Sequence, residues 1–451
     1  MVLSFAQWGR SAQAVCVGIG LDPEILRLEV TITIVSPYLH QRKRPMNTLT
    51  ERGCPHLGAL YNPTMSPDVE DPHPIFDRMR KEEPVTYSPL FNLWLVSRYE
   101  DVLRVVNDPK RFTIEGSFTK LTAMFEPEAR ELLRKSHTFN ALNMFCADTE
   151  HDRLRKPFAK FFGAGQIASH EPMIRRCANE LLDAFDPQGP VDYVTQFAFP
   201  FPLQVIFSLL GVPKEAMADV RQGVEAMMRA IGTLVPPEEQ IEVVEHILAY
   251  ERYWIDTIEY RRANPGEDLI SLVVKAMDAG EVNLTQAELV STISANLILA
   301  GHETTARALA TSLYHLLRHR ERFEALVNEP ALIPKAVEEL MRFDSTTIGF
   351  FRTATEAVEI GGVTIPEGAA VFPLYASANH DETRFADPTR IEFRRPELNE
   401  QIAFGRGIHF CLGVHLARLE QRIALELLVN RWPQLRLVPD QTVSFAPSLT
   451  I

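Results

Sequence analysis

Long apolar runs are missing from this chain of 451 residues. No stretch approaches the roughly 18 consecutive apolar residues that a spanning helix needs, so helical passage through a membrane is not expected. Cysteine is scarce, with five residues at Cys16, Cys54, Cys146, Cys177 and Cys411 and no CxxC pair. Their scatter and odd number argue against a disulfide framework or a closed zinc site and fit a reducing cytoplasm. Positive charge is also short: 46 Lys and Arg against 59 Asp and Glu leave a net charge of -13. Such a surface argues against a general nucleic-acid binder, which needs basic residues for phosphate. No flavin or nicotinamide fingerprint follows a strand, so no reductase domain is expected in the chain.

What is present is ordinary globular composition, 46% hydrophobic and 23% charged. Residues 1–45 read as an N-terminal extension, either a loose tail or a start placed too early. Its mild run Ser11–Leu21 is too polar for an anchor, and its basic cluster Arg42-Lys43-Arg44 leads to Met46, the expected true start. Residues 46–451 read as one domain. IFDRMRKEE has a helical pattern, and PVTYSP and LWLVSR read as short strands. Long helical patterns fill about 149 to 344, broken at GVPKE (211–215) and RRANPGEDL (261–269). A small β region follows with Gly361-Gly362 as its turn, then turn-rich sequence over 379–410, then a helix over 412–430. The fold class is mainly α with small β sheets.

Three places carry chemistry. Residues 404–413 read Phe-Gly-Arg-Gly-Ile-His-Phe-Cys-Leu-Gly and lead directly into an amphipathic helix. Cys411 therefore sits at a helix N-terminus, where the dipole and free N–H groups favour a thiolate able to bind iron. On its own, a cysteine beside a glycine-rich turn is more often structural. Residues 291–312, STISANLILAGHETTARALATS, form a helical pattern with Gly301, Thr304 and Thr305, poor helix residues, at its centre. Thr304 is placed to bond back to the carbonyl of Ala300, with the acid Glu303 beside it. Glu339 and Arg342, three apart, share a helix face and can pair, a weak signal alone.

Taken whole, F-G-x-G-x-H-x-C-x-G resembles the signature of the cytochrome P-450 superfamily at every fixed position. The segments A-G-x-[DE]-T-T at Ala300–Thr305 and E-x-x-R at Glu339–Arg342 are similar to two further motifs of that family. The resemblance covers roughly residues 60 to 451 and is to soluble bacterial members. It implies the cytochrome P-450 fold, one large domain around a buried haem b, with Cys411 as axial iron ligand. It implies that Thr304 hydrogen-bonds iron-bound dioxygen and that Glu303 relays protons, general acid catalysis through a positioned network. Haem contacts implied by motif position are Ala300, Gly301, Phe404, Gly405 and Gly413. The haem propionates would meet His151 and Arg155 (in EHDRLRKPF), Arg352 and His409. Glu339 and Arg342 would be buried and joined by a third member, for which Arg390 (in DPTRIEF) is the candidate.

The implied activity is that of a haem-thiolate monooxygenase. It would hydroxylate or epoxidise a hydrophobic small molecule with dioxygen and two external electrons. Those electrons would come from a separate partner, a ferredoxin or flavodoxin with its reductase, docking near Arg153, Lys156 and Arg406. Ile348, Phe350 and Phe351 are the pocket candidates, and a cytoplasmic monomer is expected. The alternatives are a peroxide-driven or non-oxygenating haem enzyme of the same fold, and a haem-based sensor. The first two would have little use for the acid–alcohol pair, and a sensor would normally carry an output module. The chain stops at SFAPSLTI, about where members run on through a last strand, so an incomplete final β hairpin is expected.

Overall fold

The structure is a computed structural model, and it describes residues 29–31, 56–63, 65–115, 125–141, 143–144, 148–186, 189–232, 235–441 and 443. Helices dominate. Pro200–Leu210, Met217–Gly232, Gln240–Ala263, Ala300–Arg318, Ile333–Phe343 and Val414–Arg431 build the main body. Their buried faces form the largest apolar core, including Phe201, Phe207, Trp254, Leu313, Leu340 and Ile423.

The expected breaks fall where local chemistry places them. Pro200–Leu210 ends on Gly211 with φ of 70°, the left-handed cap that glycine adopts without a Cβ penalty. Gln240–Ala263 gives way to Leu269–Asp278, whose N-cap Asp268 accepts from the Ser271 N–H. The N-terminal helix His73–Glu82 and the strands Val85–Ser88 and Leu93–Val96 match their sequence patterns.

Those two strands open a five-stranded mixed sheet continued by Ala370–Pro373, Arg352–Ala354 and Phe112–Thr113. Trp94 lies opposite Val371 in its one parallel pairing. A separate hairpin joins Val358–Ile360 to Val363–Ile365. Its turn glycines, Gly361 and Gly362, take φ of 56° and 79°, the two positive values a tight primed turn demands.

One expectation is corrected by the sheets. Part of the segment assigned to a separate extension belongs to the body: Glu29–Thr31 is the middle strand of a three-stranded sheet, parallel to both Arg436–Leu437 and Val191–Asp192. Val30 is fully buried there, and burial of that side chain favours this pairing. The other residues of 1–45 lie outside the described residues, as does the segment 444–451 on which the final-hairpin expectation falls. Among the described residues no helix is long and apolar enough to cross a membrane.

One helix crosses the core and sets the site. It starts at Gln286 behind a capping box in which Thr285 and Glu288 satisfy each other's backbone N–H. From Thr292 to Leu299 it is wound as a π-helix, and it returns to α geometry at Ala300. Such wide turns cost helix stability and occur mostly at functional positions.

Candidate active site

The cysteine loop is built by its glycines. Gly405 and Gly407 have φ of 68° and 72°. At Gly407 a Cβ would stand 2.6 Å from the Val106 carbonyl oxygen, so only glycine lets the loop lie against the end of the helix Tyr99–Val106. The Cys411 N–H closes the loop by donating to the Phe404 carbonyl at 3.0 Å. Cys411 is enclosed by protein yet partly accessible, as a side chain lining an internal recess would be. Burial pushes its thiol up, opposed by the Gly413 amide and the charges of Arg155 and Arg418. The expected lowering by the helix terminus is thus outweighed by desolvation in the protein itself. A coordinating metal reverses the balance, because it takes the thiol in its deprotonated form.

Cations and imidazoles gather beside the loop. Arg155, on helix His151–Ala159, donates to the Phe410 carbonyl at 2.5 Å. His409 Nε2 lies 2.6 Å from the Asp148 carboxylate. That carboxylate also accepts from the Ile114 N–H at 2.8 Å and from the Thr113 hydroxyl. Burial alone would raise the Asp148 carboxyl, but these hydrogen bonds together hold it below the usual range. The His151 ring meets the His409 ring edge-on, 4.6 Å between centroids. His151 is 2% exposed, and neither ring nitrogen makes a hydrogen bond. The nearest acid, Asp152, is 3.7 Å from its Nδ1. Burial, then the charges of His409 and Arg155, push His151 down to about 4. Arg352 is buried, donates to its neighbour Phe351's carbonyl at 2.9 Å and lies beside the Tyr375 hydroxyl.

The core-crossing helix presents a stripe. Asn296, Ala300, Gly301, Glu303, Thr304 and Arg307 are partly accessible, while His302, Thr305 and Ala306 on the other side are buried. The accessible positions recur at about one helical turn, so a single face of a core helix borders empty space. A Cβ at Gly301 or at Gly413 would meet nothing within 4 Å. Thr304 Oγ1 donates to the Ala300 carbonyl at 2.7 Å. Glu303 pairs with Arg307 at 2.6 Å, a partner that the motifs do not announce although its four-residue spacing is legible in the sequence.

Glu339 and Arg342 are fully buried and paired through two hydrogen bonds of 2.8 and 2.9 Å. The third member is corrected. It is Arg395, whose Nε lies 3.2 Å from both Glu339 oxygens. Arg390 is exposed and contributes only its backbone carbonyl, which accepts from Arg342 at 3.1 Å and from Arg395 at 2.9 Å. Burial alternates here, with Phe393 and Arg395 buried and Arg390, Glu392 and Arg394 exposed, through a turn closed by the Arg395 N–H donating to the Glu392 carbonyl at 3.1 Å.

Of the pocket candidates, Ile348 and Phe351 pack on the core that holds Phe372, and Phe351 meets that ring edge-on at 5.0 Å. Phe350 packs on the separate core under the sheet. None of the three is fully buried. The docking candidates fare unequally. Arg153 is bound to Glu288, Glu150 and the Asn283 carbonyl, which corrects its reading as an available cation. Arg406 donates to the carbonyls of Asn399 and Gln401. Lys156 is 78% exposed in its side chain, with Asp152 at 3.6 Å. Asp148 carries no sequence signal, because its partner His409 is 261 residues away.

These residues fit an iron-bearing, anionic ring system: one thiol at a helix start, unpaired buried imidazole nitrogens, arginines, and glycines facing open space. The comparisons agree. The Cytochrome P450 family profile matches residues 238–444. Cytochrome P450 107B1 of Saccharopolyspora erythraea is 35% identical over 82% of this chain and 91% of its own. Nocardicin C N-oxygenase of Nocardia uniformis subsp. tsuyamanensis is 38% identical over 84% and 93%. The P450 heme domain of Tepidiphilus thermophilus superposes with a TM-score of 0.79 at 29% identity, over 86% of this chain and 94% of that one.

Proposed function

Because the chain belongs to the cytochrome P450 family and is a haem-dependent monooxygenase of small organic molecules, we propose that Cys411 is its iron ligand and that Glu303 and Thr304 deliver its protons. The observation that carries this reading is the gathering around the partly accessible Cys411, with Arg155 close enough for its charge to act on the thiol and the unpaired nitrogens of His151 beside the His409 ring. Haem b held there supplies the centre at which dioxygen is bound, reduced by two electrons and cleaved.

The chain's own residues do the rest. Arg155, Arg352, His151 and His409 offer donors to the propionates, with Asp148 orienting the His409 ring. A charge-assisted bond from His151 would relieve one of its two nitrogens, which otherwise remain buried without partners. Ala300, Gly301, Phe404, Gly405 and Gly413 supply the small or flat surfaces against the ring. Glu339, Arg342 and Arg395 hold the segment that leads into the cysteine loop.

Thr304 donates its hydroxyl proton to Ala300, which leaves its oxygen free to accept on the accessible side. Glu303 is 18% exposed in its side chain, so solvent reaches it. With Arg307 released, the Glu303 carboxyl would take a proton from water and give it to the Thr304 oxygen as the Thr304 hydroxyl proton leaves its bond to Ala300 and moves out on the accessible side of the helix.

The substrate is a hydrophobic small molecule bordered by the Ile348–Phe351 segment. The electron donor is a separate ferredoxin or flavodoxin that docks over the cysteine loop, where Ile408 is 39% exposed and Lys156 projects. The protein works as a monomer in the cytoplasm.

The test is turnover with a surrogate ferredoxin, its reductase and a panel of hydrophobic substrates. Thr304→Ala keeps consuming reductant but returns more of it as hydrogen peroxide. An unchanged partition between product and peroxide would remove Thr304 and Glu303 from proton delivery.

A further inference from the structure

The motif that holds Glu303 and Thr304 contains a third polar residue that the reaction does not use. His302 is fully buried on the face of the helix turned away from the accessible stripe. Its Nε2 lies 2.9 Å from the Phe199 carbonyl, so this nitrogen carries the proton. Its Nδ1 is buried with no partner. The ring also stands edge-on to the Phe199 ring, 4.3 Å between centroids. The Arg221 guanidinium stands over that phenyl ring at 5.5 Å. An apolar side chain would fill the space without an unsatisfied nitrogen, so packing alone does not account for a histidine.

The position of the contact is informative. The helix changes from π to α winding at Ala300, so His302 lies in the first α turn after the change. Phe199 stands at an equivalent junction, where the π-wound stretch Val194–Ala198 hands over to helix Pro200–Leu210. One hydrogen bond therefore ties two winding changes together. A helix that passes from five-residue to four-residue hydrogen bonding can shift that point along its length, and each one-residue shift rotates the following side chains. Something must fix where the change falls, or Glu303 and Thr304 would not keep one facing.

We propose that His302 is a positioning residue that, through its bond to the Phe199 carbonyl, fixes the register of the α turn presenting Glu303 and Thr304 to the recess. It touches neither substrate nor cofactor and acts through its two neighbours in sequence. The inference rests on the reading of Thr304 as a residue that delivers protons.

The experiment uses the haem-loaded protein and four variants, His302→Leu serving as a folding control. His302→Phe keeps a ring and loses the donor. His302→Gln places an amide N–H near the position of Nε2. Thr304→Ala is the reference. Two readouts are taken: the C–O stretching band of the carbon monoxide complex of the reduced protein, and amide hydrogen exchange over residues 296–307. The expected result is that His302→Phe shifts or splits the C–O band as Thr304→Ala does. It also speeds exchange in that segment about fivefold, the factor for one lost hydrogen bond. His302→Gln restores both. A His302→Phe protein with the native band and native exchange would overturn the proposal. So would failure of both His302→Phe and the smaller His302→Leu to fold while His302→Gln folds normally, since that makes the histidine a purely structural element. If Thr304→Ala itself leaves the band unmoved while exchange responds to His302→Phe, the reading of Thr304 fails and the register role stands.

Discussion

Replacing Glu339 by glutamine removes the one carboxylate that two buried guanidinium groups share. Arg342 and Arg395 are fully or almost fully buried, and Glu339 accepts from both and from the Glu392 N–H at 2.9 Å. The glutamine keeps the volume but leaves two positive charges desolvated side by side. Removing one partner of a buried ion pair costs about 3–5 kcal/mol, a large part of the roughly 5–15 kcal/mol that holds a folded protein. The other hydrogen bonds of Arg342, to the carbonyls of Asn379 at 2.7 Å, Pro388 at 3.0 Å and Arg390 at 3.1 Å, remain and fix its position, so little relaxation is open to it. The loss should therefore fall near the upper end of that range. The assay is the denaturant midpoint, followed by the haem absorption band, with the slope checked for constancy. A parallel pair discriminates the third member: Arg395→Ala should cost a similar amount, whereas exposed Arg390→Ala should stay within about 0.5 kcal/mol. A Glu339→Gln loss under about 1 kcal/mol, or equal losses for Arg390→Ala and Arg395→Ala, would refute the argument.

The remaining predictions concern the loop, the imidazoles and pH. Gly407→Ala forces a Cβ to 2.6 Å from a backbone carbonyl at a positive φ, so haem retention should fall at a cost of about 1–2 kcal/mol or more; full retention at the native midpoint would contradict the close approach. Asp148→Asn leaves His409 without its carboxylate, and haem affinity should drop severalfold in a haem-transfer assay to apomyoglobin, with an unchanged transfer rate counting against the orienting role. Burial, opposed by the Phe199 carbonyl, holds His302 down to about 4 against an ordinary 6.5. Between those values the unfolded chain binds a proton that the fold excludes, so stability falls as pH drops through that window and His302 contributes no further loss below it. For this one group the loss from pH 7 to pH 5 is on the order of 2 kcal/mol. His302→Gln should lose that much less over the same interval, and identical pH slopes for the two proteins would sink the assignment.

Much of the site was legible because it is local in sequence. The cysteine loop, the Gly361-Gly362 turn, the Gly211 cap and the Thr304 bond to Ala300 each depend on residues within a few positions of one another. Arg395 was within reach of the same reasoning. Apolar Ile391 and Phe393 alternate with Glu392 and Arg394 and so put Arg395 on the inward side, whereas the resemblance alone does not single out one arginine of this segment. Asp148 was not legible, since chain crossings bring it to His409 and no local pattern announces them. The π winding of Thr292–Leu299 was hidden too: an apolar run reads as helix, and periodicity over eight residues does not separate the two windings. The Cys411 thiol went the other way from the dipole argument because desolvation depends on how much protein surrounds a sulfur, a quantity fixed by the tertiary structure.

The central claim is that Cys411 binds haem iron as a thiolate. The direct measurement is the absorption spectrum of the purified, dithionite-reduced protein before and after carbon monoxide, beside Cys411→His. A strongly red-shifted Soret band in the native protein, replaced in the variant by the shorter-wavelength band of histidine ligation, is the predicted result. Well-folded native protein that shows the shorter-wavelength band, or that takes up no haem, would contradict it.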